Sequence, residues 1–221
     1  MEDARETAKS LLSVLENYGQ GDYIGESISQ LEHSLQAAHQ ARQAGDYDNP
    51  HRNEAARILI LYSGARDELV LAALLHDIGQ IVPLETTQEV RMTLSEEGTD
   101  NVGRIGHEVI GAHYLQSLGF SETVCRLVKS HVAAKRYLTA VNKSYYNSLS
   151  SASQRSLAFQ GGPFLGNELE AFEGDPLRDE MVSLRLWDDA AKVVGVEKSI
   201  PRAQDYLEMM VSHLTREESS S

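Results

Sequence analysis

Leu71-Ala72-Ala73-Leu74-Leu75-His76-Asp77-Ile78-Gly79 is the stretch that decides how this chain folds. An apolar helical run ends on an imidazole and a carboxylate. Burying two such groups costs roughly 2–7 kcal/mol each unless each finds a partner. A metal ion satisfies both at once. The run, from about Asp67 to Asp77, is apolar on nearly every side, which places it centrally in an all-α core. Gly79 reads as its C-terminal stop.

Helical periodicity continues on both sides. Helices are expected over about 8–18, 25–44, 53–62, 106–118, 122–140, 150–159, 178–194 and 202–215. Residues 83–104 read as a polar, irregular loop, and 216–221 as a frayed tail. No strand alternation, repeat or linker stands out. The expectation is one all-α domain over residues 1–221, with its core in about 8–215.

Composition narrows the class. The 221 residues are 41% hydrophobic and 24% charged, enough to bury a sizeable core. A net charge of −13 excludes a general nucleic-acid binder, whose footprint is basic. The single cysteine, Cys125, permits no intrachain disulfide and fits a reducing compartment. The polar start Met1–Arg5 is not a signal peptide. No apolar run approaches the roughly 20 residues of a membrane span. A cytoplasmic protein with neither membrane nor nucleic-acid partner is expected.

Polar residues recur on apolar faces. On 122–140, Val124, Leu127 and Val128 share a face with His131 and Lys135. A buried ammonium needs an anion, and here that anion can be a substrate. His107 shares a face with Ile110, Gly111 and Tyr114. Glu26 and His33, seven apart, fall on one face of the expected second helix, with Gln30 between them. Asp188 follows Leu184 and Arg185 by one turn, and Asp189 competes for its role. His39 and His113 point away from these faces, and His51 and His213 read as exposed.

The order His33, His76-Asp77, Asp188 resembles the signature of HD domains, an all-α metal-binding fold. His107 and His131 add two donors. Four imidazoles and two carboxylates suit two first-row ions, with Asp77 bridging, and leave Mg disfavoured. Ligands alone do not separate HD phosphohydrolases, in which metals activate water against a phosphoester, from HD oxygenases. A third reading, a non-catalytic metal-binding module, leaves the inward Lys135 and Arg185 unexplained.

The flanking sequence is more specific. Gly21-Asp22-Tyr23-Ile24-Gly25-Glu26, Gln30-Leu31-Glu32-His33, His131 to Leu138, Gln160-Gly161-Gly162-Pro163 and Leu184 to Asp188 resemble PhnZ/TmpB-type HD-domain diiron oxygenases. The resemblance implies a mixed-valent Fe(II)/Fe(III) pair and dioxygen as co-substrate. One iron would lie at His33, His76, Asp77 and Asp188, the other at Asp77, His107 and His131. Lys135, Ser153, Ser156 and Arg185 would cradle a phosphonate. Tyr23 would occupy the first iron until substrate arrives, and Glu26 would receive a substrate ammonium. The implied reaction cleaves the C–P bond of 1-hydroxy-2-aminoethylphosphonate or its trimethylammonio analogue, giving glycine or glycine betaine plus phosphate. The chain departs from the pattern at Gln80, where the family has a histidine, and over about 46–66, which reads as a helical insertion.

Overall fold

The computed structural model describes residues 2–23, 25–45, 66–83, 91–93 and 101–220. The expected helix at 53–62, the insertion at 46–66 up to residue 65, and His51 lie outside them. Eleven helices, numbered in order, are described: α1 Glu2–Tyr18, α2 Gln30–Gly45, α3 Arg66–Leu75, α4 Ile78–Ile81, α5 His107–Ser117, α6 Glu122–Val141, α7 Lys143–Ser148, α8 Ser151–Phe159, α9 Asn167–Glu173, α10 Arg178–Ala190 and α11 Leu207–Ser220. A 3-10 turn, Ala203–Tyr206, leads into α11.

The apolar stretch does form the centre. Leu71, Ala72, Ala73, Leu74 and Leu75 are all fully buried. Helix α3 packs against α2, α6, α10 and α11, so its C-terminus opens where α2, α6 and α10 converge. The His76-Asp77 pair is therefore delivered to the middle of the bundle.

Four local expectations are corrected. Helix α2 begins at Gln30, not 25, because Ser29 caps it: the Glu32 amide donates to Ser29 Oγ at 3.1 Å. Residues 21–23 and 25–29 instead lie in a turn closed by Tyr23 N to Ile28 O at 2.8 Å and Gln30 N to Gly21 O at 3.0 Å. Glu26 sits in that turn and reaches the site from outside the helix. Gly79 is no stop: it lies inside α4, where a Cβ would stand 1.9 Å from His107 O. Glycine is required there by the close approach of α5. Residues 91–93 and 101–104 pair as a short antiparallel ladder where a loop was expected. The tail expected to fray continues α11 to Ser220.

Helix starts follow capping chemistry. Ser121 Oγ accepts from Val124 N at 3.3 Å at the head of α6, and Ser150 Oγ accepts from Ser153 N at 3.3 Å at the head of α8. Short helices α7 and α9 have too few residues to show a period, and none was expected there. Among the described residues no helix is long and apolar enough to cross a membrane.

Candidate metal centre

Four histidines converge in two pairs. His33 Nε2 and His76 Nε2 lie 3.0 Å apart, and His107 Nε2 and His131 Nε2 lie 2.9 Å apart. The four are 0–5% exposed. Each faces a backbone carbonyl with its other nitrogen: His33 Nδ1 with Ala191 O at 2.9 Å, His76 with Ala73 O at 2.8 Å, His107 with Arg104 O at 3.0 Å, and His131 with Val128 O at 2.7 Å. A carbonyl accepts only, so each Nδ1 carries the proton and each Nε2 presents a lone pair. Two lone pairs at that distance repel unless a positive charge stands between them. A proton is disfavoured at His76, where burial pushes the imidazole down to about 4. A metal–nitrogen bond of about 2.1 Å spans about 3.0 Å across a right angle. The spacing therefore fits metal ligation.

The carboxylates complete two centres. Asp77 Oδ1 is 3.3 Å from His107 Nε2 and 3.4 Å from His131 Nε2. Its Oδ2 is 3.8 Å from His33 Nε2 and 3.7 Å from His76 Nε2. One oxygen thus faces each pair, the arrangement a bridge requires. Asp188 Oδ1 lies 3.4 Å from His33 Nε2 and 3.8 Å from His76 Nε2. The two groups are His33, His76 and Asp188, and Asp77, His107 and His131, all buried. Burial alone would raise the Asp77 carboxyl, but the surrounding imidazoles of His76, His107 and His131 hold it well below the usual range. It stays an anion, as a bridging ligand must.

Supporting contacts escaped the sequence reading. Gln30 Nε2 donates to Asp77 Oδ2 at 3.1 Å, one helical turn before His33. Such outer contacts orient a ligand and tune its basicity. Asp188 and Asp189 divide their roles. Asp188 turns inward and accepts from Arg185 Nη1 at 2.7 Å. Asp189 takes the Arg185 fork through Nη2 and Nε, and Arg185 Nε also donates to Tyr145 OH at 3.0 Å. The guanidinium fork expected to face an anion is thus already engaged by Asp189.

A cavity of about 50 Å³ opens beside the His107–His131 pair. Tyr23, Glu26, Gln80, Lys135, Ser153, Ser156, Arg185 and Lys192 line it together with Asp77 and Asp188. Every residue expected in the site is therefore brought to one place. Lys135 Nζ donates to Ser156 Oγ at 2.9 Å, and Lys135 is 3% exposed. Burial, with Arg185 nearby, pushes its ammonium down to about 7. Tyr23 stacks on His33 with ring centroids 3.7 Å apart, and its hydroxyl donates to Asp188 Oδ1 at 3.4 Å. Burial and then Asp188 raise its phenol well above the ordinary value. Gln80 Oε1 accepts from Arg104 N at 2.8 Å, so this residue also fastens the end of the β-ladder.

His213 is a correction. Expected on the surface, it is 1% exposed, and its Nε2 accepts from Ser121 N at 3.1 Å. With Glu68, which bonds the Ser121 hydroxyl, it ties α3, α6 and α11 together. His113 is exposed and His39 half-buried, and among the described residues neither joins a cluster.

An all-α bundle that centres a His…His-Asp…Asp set, with two more histidines beside it, defines an HD-type metal protein. The HD domain signature matches residues 31–157. The chain is 38% identical over 201 residues to hydroxymethylphosphonate dioxygenase of Gimesia maris, covering 91% of this chain and 85% of the relative. It is 33% identical over 184 residues to [1-hydroxy-2-(trimethylamino)ethyl]phosphonate dioxygenase (glycine-betaine-forming) of Leisingera caerulea, covering 83% and 79%. Protein L432 of Acanthamoeba polyphaga mimivirus, which is uncharacterized, is 31% identical over 215 residues, covering 97% and 85%. The chain belongs to the HD-domain family, in its PhnZ/TmpB-type oxygenase branch.

Proposed function

We propose that this protein uses dioxygen to cleave the C–P bond of a 1-hydroxyalkylphosphonate, releasing phosphate and a carboxylate. The observation that carries this reading is the anion cradle beside the paired centres: a buried Lys135–Ser156 unit next to a bridging Asp77. A structural metal site needs no such cradle. The kinship with two phosphonate dioxygenases points the same way. One dioxygen is consumed per phosphate released. An amine-bearing substrate would give glycine or glycine betaine, and hydroxymethylphosphonate would give formate.

The proposed cofactor is a mixed-valent Fe(II)/Fe(III) pair, which supplies dioxygen activation and redox capacity. His33, His76, Asp77 and Asp188 would hold one iron; Asp77, His107 and His131 would hold the other. The carbonyls on the four Nδ1 atoms fix the tautomer each ligand needs. Lys135 binds the phosphonate as a point charge, with Ser153 and Ser156 adding donors on one face of α8. Arg185 adds positive potential and, through Asp188, orients a ligand. Tyr23 covers the His33 side of the site and excludes solvent there. Glu26 is the carboxylate that faces the substituent on C1.

The test is phosphate release by iron-loaded protein from a panel of 1-hydroxyalkylphosphonates, in air and without dioxygen. Release in air only is expected. Oxygen-independent release from phosphomonoesters or nucleotides, with none from phosphonates, would instead establish an HD phosphohydrolase.

A further inference from the structure

Lys192 lies just past α10, on a segment clamped at both sides. Ala191 O meets His33 Nδ1 at 2.9 Å, and Val193 exchanges two hydrogen bonds with Gln36, at 2.8 and 2.9 Å. The backbone is thereby fixed and Lys192 is directed into the cavity. Its Nζ sits 3.5 Å from Glu26 Oε1, 3.4 Å from Ser150 Oγ and 3.5 Å from Ser153 Oγ. It also lies 5.8 Å from the centroid of the Tyr23 ring. Among the described residues Glu26 Oε1 has no hydrogen-bond donor, so Lys192 is the cation that balances it.

The place where a substrate ammonium would lie, against Glu26 and near the Tyr23 face, thus already holds an ammonium from the protein. Two cations compete for one half-buried carboxylate, and the newcomer must displace a side chain whose backbone is pinned. Lys135 donates to the Ser156 hydroxyl and Lys192 lies 3.5 Å from the Ser153 hydroxyl, one turn away on α8, an arrangement that suits a small dianion. The free space of about 50 Å³ holds only a few water-sized groups.

We propose that Lys192, paired with Glu26, is a specificity-determining residue, and that the site takes 1-hydroxyalkylphosphonates without a cationic amine. This rests on the phosphonate reading above. Hydroxymethylphosphonate is the simplest such substrate.

The experiment compares hydroxymethylphosphonate with 1-hydroxy-2-aminoethylphosphonate on the iron-loaded protein. Binding is read by calorimetry without dioxygen, and phosphate release in air. The wild type is expected to bind the hydroxymethyl compound at least tenfold more tightly. Lys192→Met should reverse that order, and Glu26→Gln should leave the amine-bearing compound the poorer ligand. Tighter binding of the amine by the wild type, or loss of both ligands in Lys192→Met without a change in their ratio, would overturn the inference while sparing the phosphonate reading. Phosphate release from neither compound would overturn that reading and this inference with it.

Discussion

Gly79→Ala is the perturbation whose consequence is most directly calculable. A Cβ at 79 would lie 1.9 Å from His107 O, 2.8 Å from His107 C and 2.7 Å from Gly111 N. All three are backbone atoms of α5, so no rotamer change relieves the contact. Restoring a separation of about 3.5 Å moves the head of α5 by about 1.6 Å. Metal–ligand distances hold to within about 0.2 Å, so His107 can no longer ligate. Overpacking of a core costs about 1–3 kcal/mol, and rigid backbone puts this case near 3. For a chain of this size that lowers the melting temperature by about 6–12 °C. The assay is paired: metal content after reconstitution and dialysis, and calorimetric melting of chelated and loaded protein. The variant should keep its fold, melt lower, and retain about one iron where the wild type retains two. Two irons held with wild-type affinity would refute the claim that the α4–α5 contact positions His107.

Two further outcomes follow from the protonation states. Lys135, at about 7 in the free site, must be charged to hold a phosphonate. A profile of kcat/KM against pH should therefore fall above about pH 7, and Lys135→Arg should remove that limb. His76 has its pKa lowered to about 4 from 6.5. The folded state then holds fewer protons than the unfolded chain between those values. Stability of the chelated protein should fall as pH drops through 6.5 toward 4, by on the order of 3 kcal/mol for this group. His107, raised by Asp77, acts in the opposite direction, so urea melts compare wild type with His76→Asn, whose profile should lack the His76 slope.

The candidate ligand set was legible because its residues are rare on apolar faces. His131 and Lys135 repeat at helical spacing, and His76-Asp77 interrupts a run of small and branched apolar residues. The placement of Glu26 was misread because a helical wheel drawn through 25–44 ignores the Ser29 cap, although Ser29-Gln30-Leu31-Glu32 carries that signal. Gly79 looked like a helix stop because its reason lies across the bundle, in His107. Tyr145, Asp189 and Lys192 have no local pattern. Their roles come from chain segments meeting in three dimensions, whereas that of Gln30, one turn before His33, could have been inferred.

The decisive measurement is anomalous diffraction at the iron edge from crystals of reconstituted protein. Two peaks flanking Asp77 are predicted, one against His33, His76 and Asp188, the other against His107 and His131. A single peak, or two that share no contact with Asp77, would contradict the bridged two-metal centre.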